Sequence, residues 1–504
     1  MSDVQELYAK YKKAIQKRSV WESTWEECYE FALPQRESVF NTTQSKINRL
    51  FDGTAPDCVD QLAALMLSEM TPPWGRWFQL TAGTDLNNAE AAEIAPTMEQ
   101  ISTTLQAHFD RSNFALEIHQ CYLDLITTGS ACLLFEEAPV GYASAFRFLC
   151  VPLSEICLDE GPSGRLDCTF RKSQMDYLTL KNRFPSVELS DKAIKKLNQD
   201  EAKISVIESV LPRINGGYTY SVFLEPDNQH DSLKGVNLLL KESIFSTSPF
   251  ISFRWVKAPG EIYGRSPVMK ALPDIKTANK VVELILKNAS ISVTGIWLAE
   301  DDGVLNPANI KLTPGAIIPK AVGSKGLTPL EAPGKFDVSQ LMIEDLRSHI
   351  RHALLGDKLG QLDQERMTAT EVRERSAQMM RILGATYGRL QTELLMPLVE
   401  RASTILRRRG EIPEVLIDGR LLKVAYKSTR ADTQAKIDAE NALLWFNTIA
   451  KMGSEVFKNI NIPVFIKWLG DKLNVPADIM QIESDQVQKT IQLPSKVLKF
   501  EDIK

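Results

Sequence analysis

The sequence predicts an α+β chain that is mostly helical, and three observations carry that expectation. Apolar residues recur at helical spacing through the first quarter of the chain and again from 266 onward. Between 131 and 256 the period shifts toward two, as half-buried strands require. Pro and Gly fall at the joints between these stretches, where they stop helices or make turns. A length of 504 residues allows about two to four domains with their own cores. Forty-four per cent apolar and 24% charged residues is the balance of a globular chain, not a fibrous or disordered one.

Residues 4–32 read as an amphipathic helix through Leu7, Tyr11, Ile15, Trp21, Trp25, Tyr29 and Phe31, ending before Pro34. Its first half carries Lys10, Lys12, Lys13, Lys17 and Arg18, a run that reads as a solvated face. A second helix is expected from Thr54, as N-cap with Asp57 at N3, to Met70. Pro72 and Pro73 break it and lead through Trp77-Phe78 into extended chain, and helices over about 87–110 and 114–128 follow. Candidate strands are 132–135, 145–151, 166–171, 204–211, 218–224, 236–240 and 250–256, with a hairpin turn at Asn215-Gly216-Gly217. They are expected to form one antiparallel sheet with a helix inserted near 173–184, as a separate α+β lobe.

Ser266-Pro267 restarts helix, with serine as N-cap and proline at N1. The pattern through Ile275, Ala278, Val281, Val282, Ile285 and Ala289 makes a rod of about 27 Å over 274–291. Residues 292–335 are short strands and turns rich in Gly and Pro. A helix of similar length returns over 339–355, with Asp337 and Gln340 spaced as cap and partner and a stripe of Leu341, Leu346, Ile350, Leu354 and Leu355. Helix out, small insert and helix back describe an antiparallel stalk with a tip. The next helix opens at Thr368, where Thr368 and Glu371 make a capping box. The connection from 356 to 367 is about twelve residues, against about 2–8 for helix pairs in compact domains, which points to function or disorder. Pro397 predicts a kink, and Gly384 and Gly388 allow close packing or bending. Arg407-Arg408-Arg409-Gly410 reads as a helix end, with cations on the last carbonyls, and a DNA or partner contact is the alternative for the arginine run. A brief strand is expected at 424–427, then helices from 431 to about 492 and a tail.

The net charge of -5 argues against a protein that grips nucleic acid by bulk positive charge. A surface that DNA slides past gains nothing from tight binding, so contact with DNA stays open. All seven cysteines lie in the first third of the chain without a C-x-x-C pair, which predicts buried free thiols in a reducing compartment. No signal-peptide pattern opens the chain, and the uncharged run Asn288 to Ala299 is too short to cross a bilayer. A soluble protein made in cytoplasm is expected, with no membrane span. No phosphate-binding loop, G-x-S-x-G elbow or H-E-x-x-H is present. His349 and His352 share a helix face without a third ligand nearby, and Asp301-Asp302 before Gly303 reads as a turn. No catalytic residue, metal site or cofactor is therefore expected. The absence favours a structural part of a machine.

Three stretches resemble the portal, or head-to-tail connector, family of short-tailed, podovirus-type bacteriophages. They are Arg49-Leu50-Phe51-Asp52-Gly53-Thr54-Ala55 leading to Pro72-Pro73-Trp74-Gly75-Arg76-Trp77-Phe78, then Glu261-Ile262-Tyr263-Gly264-Arg265-Ser266-Pro267, then Met367-Thr368-Ala369-Thr370-Glu371-Val372. Their order and spacing also match, over about residues 20–430. The resemblance implies a dodecameric ring at one capsid vertex, with double-stranded DNA passing non-specifically along its axis during packaging, retention and ejection. It maps residues 1–265 onto a wing that includes the α+β lobe, 266–291 and 339–355 onto stem helices, and 292–338 onto a small α/β clip. Residues 356–367 become a tunnel loop, 368–430 a long wing helix and return strand, 431–492 a helical crown and 493–504 a tail. The implied channel residues are Gly356, Asp357, Lys358, Leu359, Gly360, Gln361, Asp363, Glu365 and Arg366. Docking residues in the clip are Asn306, Lys311, Lys320 and Lys325. Implied partners are further copies of the chain, a terminase motor, tail adaptor proteins, and major capsid and scaffolding proteins, in a virion assembled in host cytoplasm. Two other classes stay open: a capsid or scaffold component without a channel, and a DNA-processing enzyme of the packaging machinery.

Overall fold

Helix α1 (Val4–Ala32) lays Leu7, Tyr11, Ala14, Trp25, Cys28, Tyr29 and Ala32 into the interior at the spacing one helix face requires. The structure is a computed structural model. It describes residues 4–34, 50–73, 75–83, 85, 88–161, 164–184, 203–226, 238–294, 297–299, 327–329, 336–356, 384–413, 422–426, 438–446 and a few between 465 and 473. The basic run on α1 is not simply a solvated face. Arg18 Nη1 donates to the carbonyls of Ser154 at 2.7 Å and Ile156 at 3.0 Å, and Lys17 pairs with Asp159 at 2.8 Å. Carbonyls of the 153–156 turn need donors, and the helix supplies them.

Helix α2 (Thr54–Met70) begins where expected, but the capping oxygen belongs to Asp52: the Thr54 N–H donates to Asp52 Oδ1 at 3.0 Å. Strand β1 (Phe78–Ala82), α3 (Asn88–Asp110) and α4 (Phe114–Thr128) follow the predicted pattern. The second half of α4, from Cys121 to Thr128, is wholly buried, and the helix ends on Gly129, left-handed at φ 82°, whose N–H returns to the Leu125 carbonyl.

The strands form two larger sheets rather than one. The first has three strands, with β2 (Ser130–Glu137) between β3 (Phe146–Cys150) and β9 (Phe250–Arg254). The second runs β4 (Ile156–Asp159), β5 (Cys168–Met175), β6 (Ile204–Pro212), β7 (Tyr218–Leu224) and β8 (Leu239–Phe245), all antiparallel, with α5 (Tyr177–Arg183) after β5. Gly216 and Gly217, at φ 83° and 74°, turn β6 into β7 as predicted. Strand β4 has only four residues, too few for a period to show. Nor is the lobe separate: one apolar core joins α1, α2 and α4 to both sheets and to the helices that follow. Its centre is aromatic, with Phe135 and Phe148 ring centroids 4.3 Å apart beside Phe109, Phe114 and Trp77.

The later helices are α6 (Pro267–Thr294), α7 (Phe336–Ala353), α8 (Gly384–Leu390) and α9 (Met396–Arg409). Helix α7 is described from Phe336, which places Asp337 within its first turn and not ahead of it. Its buried stripe is Ile343, Ile350 and Leu354, while Leu341 is exposed. The kink foreseen at Pro397 is a π-helical turn over Gln391–Leu395, closed by the Met396 N–H on the Gln391 carbonyl. The wider turn makes room for a ring that lacks an N–H. Gly410, at φ 75°, caps α9, but the side chains of Arg408 and Arg409 reach Glu137 of β2 and not the helix carbonyls alone foreseen for them. Strand β12 (Leu422–Tyr426) pairs antiparallel with β1, Phe78 opposite Tyr426, and so ties the late chain to the early one.

The tightest approach in the fold is Gly129 against Gly264. A Cβ on Gly264 would run into the Gly129 carbonyl, and one on Gly129 into the Gly264 carbonyl. Gly264→Ala is expected to cost about 3 kcal/mol by overpacking. Gly53→Ala, which meets nothing within 4 Å, should cost under about 0.5 kcal/mol. Urea midpoints compare the two, and equal midpoints would remove the constraint.

Candidate functional site at the root of the helical stalk

Helices α6 and α7 pack against each other, and both are rooted in the core. Helix α6 buries Val268, Ala271, Leu272, Ile275 and Ala278 near its start, and α7 buries Ile350 and Leu354 near its end. At the far end β10 (Trp297–Ala299) pairs antiparallel with β11 (Leu327–Pro329), Trp297 opposite Pro329. The chain therefore leaves the core along α6 and returns along α7. Away from the root both helices present large apolar side chains to solvent: Leu284 is 54% and Leu286 52% exposed, Leu341 70% and Met342 50%.

Two short motifs build the root. In the first, Asn279 Oδ1 on α6 accepts the N–H groups of Phe51 at 2.6 Å and Asp52 at 3.1 Å. The Asp52 carboxylate caps α2 through Thr54 and receives Arg347 Nε of α7 at 2.8 Å. One buried aspartate thus joins α2 to the returning helix. Burial raises the pKa of Asp52, but the Thr54 and Arg347 hydrogen bonds outweigh it and the net shift is downward.

The second motif is the run Glu261 to Pro267. Tyr263 is fully buried, edge-on to Trp25 at 4.9 Å, and its hydroxyl accepts the Leu158 N–H at 3.0 Å. Gly264 lies on Gly129 and donates its N–H to Ser130 Oγ at 2.8 Å. Ser266 Oγ accepts the Met269 N–H at 2.8 Å and donates to the Thr127 carbonyl at 2.9 Å, so the predicted cap is also a tether to α4. Arg254, at the end of β9, holds this motif from behind. It donates to the Ile262 carbonyl at 3.0 Å, to Glu160 at 2.8 Å, and to Glu393 of the π turn through Nη2 at 2.7 Å and Nε at 3.3 Å.

Of the sequence-predicted channel residues, Gly356 is described. The sequence predicts that it opens a loop, but its backbone is helical again after the break at Leu354 and Leu355, and a Cβ on it would come within 2.9 Å of Cys58 Sγ of α2. Directly before it stands Leu355, left-handed at φ 62°. Leucine adopts that conformation at a cost of about 1–2 kcal/mol, and the chain spends it to turn away from the helix axis. Asp357, Lys358, Leu359, Gly360, Gln361, Asp363, Glu365 and Arg366 lie outside the described residues, as do Asn306, Lys311, Lys320 and Lys325. So do the Thr368 cap and most of the region after 430.

Among the described residues no group of His, Cys, Asp and Glu is placed to hold a metal, and His349 meets Asp345 of its own helix at 3.7 Å. All seven cysteines are free and six are buried; burial pushes the Cys28 and Cys132 thiols up to about 12. No helix among the described residues is long and apolar enough to cross a membrane.

The family model described as "Bacteriophage head to tail connecting protein" matches residues 4–480. The chain belongs to that family. It is 25% identical to the probable portal protein of Bordetella phage BPP-1 over 419 residues, 78% of this chain and 73% of that one. It is 22% identical to the portal protein of Enterobacteria phage T3 over 81% of this chain and 75% of that one. With the portal protein of Salmonella phage epsilon15 the identity is 23%, over 94% of this chain and 87% of that one. Two of the three motifs that carry the resemblance are therefore structural in this connector. They anchor the root of the stalk, and the third lies outside the described residues.

Asn279, Arg347, Glu160 and Glu393 were not singled out by the sequence. One signal was available: Arg254 interrupts the apolar run Phe250-Ile251-Ser252-Phe253-Arg254-Trp255, and an arginine in a buried strand must meet a carboxylate.

Asp52→Asn tests the root. It removes the charge on the Arg347 bond and is expected to cost about 1–2 kcal/mol at pH 7. Because the folded pKa lies below the unfolded value, this stability is present above about pH 4 and fades as pH falls through the folded pKa. Thermal melts of parent and variant should converge as the pH falls below the ordinary carboxylate range. A gap that stays constant with pH would assign the cost to packing.

Proposed function

We propose that this connector protein is the subunit of a ring-shaped channel at one capsid vertex. Double-stranded DNA is packaged through it, retained and later ejected, and the ring joins head to tail. The observation that carries the reading is the stalk: two helices rooted in one core by Asp52 and Arg254, tipped by a β ladder, and bearing apolar side chains that a lone copy leaves in water. Further copies packed around an axis would cover those side chains, as closed cyclic symmetry allows. In this reading 266–291 and 339–355 are the stem, 292–338 the clip that docks motor and tail adaptors, and 431–492 the crown. The protein is a structural part, not an enzyme. Native mass and negative-stain images of the purified chain test it. A discrete ring of about twelve copies with a central hole, formed without DNA or nucleotide, is expected. A chain that stays monomeric at high concentration, or that closes into shells, sinks the reading.

The loop from Gly356 to Arg366 is proposed to line the channel and touch DNA loosely. Lys358 and Arg366 stand against Asp357, Asp363 and Glu365, so the segment is nearly neutral. A cationic loop would hold phosphates and slow sliding, in proportion to the counterions released. Replacing Asp363 and Glu365 with lysine should slow ejection, and more so at low salt. Shortening 357–366 to a four-residue linker should leave rings intact but let DNA leak from filled heads. Full retention by the shortened variant would deny the loop a gating role.

A further inference from the structure

Arg401 of α9 is 7% exposed, yet no carboxylate among the described residues pairs with it. Nε donates to the Phe135 carbonyl at 2.7 Å and Nη1 to the Thr247 carbonyl at 2.9 Å, both neutral oxygens, and Nη2 has no acceptor among the described residues. The rings of Phe135 and Phe245 lie 5.7 and 5.6 Å from the guanidinium. Glu136, the acid whose field reaches it, is committed to Arg183 at 3.2 Å. Burial pushes Arg401 down to about 10, which leaves it charged near neutrality. A buried charge with no counter-charge is costly, in contrast to Arg254 with its two carboxylates.

Arg401 lines a cavity of about 530 Å³ together with Arg407 and Arg408, and no Asp or Glu lines it among the described residues. Glu137 holds Arg408, whereas Arg407 is half-buried without an acid among the described residues. The rest of the wall mixes Ile244, Phe245, Ile405 and Ile412 with Ser246, Thr247 and Thr404, and Ile244 is 64% exposed at the rim.

We propose that this cavity receives an acidic side chain of a neighbouring copy of the same chain, its carboxylate on Arg401 and Arg407 and its apolar neighbours on Ile244 and Ile412. This rests on the multi-copy assembly proposed above. Ile244, Phe245, Ile405 and Ile412 offer apolar contact beside the cations, which a peptide can use and the phosphate and sugar of a DNA strand's outer face cannot. The chain also carries 64 acidic against 59 basic residues, so its own surface supplies carboxylates. Guanidinium forks match carboxylates in two-bond geometry.

A photo-crosslinking amino acid at Ile244, in the full-length chain assembled as judged by native mass, tests it. Irradiation should give multimers of this chain, with adducts on a peptide carrying Asp or Glu next to an apolar residue. Arg407→Glu in the same background should cut the cross-linked fraction roughly tenfold, because like charge would face the acid. Arg407→Lys should restore most of it. Arg407 makes no described contact that folding needs, so the variant separates binding from stability. Assembled protein that cross-links only within one copy or onto DNA, or whose yield ignores Arg407→Glu, overturns the inference while the ring stands. A chain that never assembles overturns both.

Discussion

A buried arginine sets the terms for much of this fold. Arg254 is 1% exposed at the end of a strand whose other residues are all buried, so its charge has no access to water. A guanidinium in that position survives only if carboxylates and carbonyls meet most of its donors. Glu160 must therefore come from the turn after β4, Glu393 from a helix more than a hundred residues later, and the Ile262 carbonyl from the segment that leads into α6. Three distant pieces of chain are fixed by one side chain. Pro397 takes part in this: the π turn that accommodates its ring includes Glu393, the residue that grips Arg254. A break in helix geometry and a buried ion pair are one device.

The same logic runs outward from Arg254 to the stalk. Holding the Ile262 carbonyl fixes the residues that follow, and each has a separate task. Tyr263 fills the aromatic space beside Trp25, Gly264 permits contact with Gly129, and Ser266 starts α6 while tied to α4. The direction in which α6 leaves the core is therefore set before its first turn. The returning helix is fixed at its other end by Asp52 and Arg347, and by Ile350 and Leu354 in the core. Stability of the stalk resides at its root, where burial is complete, and declines toward the tip, where leucines meet water.

Much of this was legible in the sequence, because periodicity and punctuation are local signals. The extents of α1 and α2, the Ser266 cap, the turn at Gly216-Gly217 and the disturbance at Pro397 all depend on residues within one or two turns of each other. What could not be read depends on distance. That Asp52 and not Thr54 caps α2 follows partly from Arg347, which holds the carboxylate from almost three hundred residues away. That Arg18 and Lys17 bind the far side of a turn, not solvent, follows from where β4 lies. The division into two sheets follows from β2 being covered on both faces, and a continuous apolar run does not distinguish that from a helix segment. For the candidate site, the sequence placed the end of α7 to within two residues but not the node that anchors it.

That anchoring bears on how a loop beyond Gly356 could act. Helix α7 is held at Arg347, Ile350 and Leu354, and Gly356 stands against Cys58, so the chain that continues past Gly356 starts from a fixed point. Leu355 turns the chain off the helix axis at that point, in a conformation leucine keeps only when its surroundings dictate it. In a symmetric ring every copy would then launch its loop from the same radius and in the same direction. The reach of the loop would be set by its own length and not by motion of the stalk. A segment with nearly balanced charge has little electrostatic hold on a polyanion, so what it does to passing DNA must come from bulk and position. In the proposed channel a rigid origin is what would let bulk act: a neutral loop on a mobile base would be pushed aside, while the same loop on a locked helix end would resist.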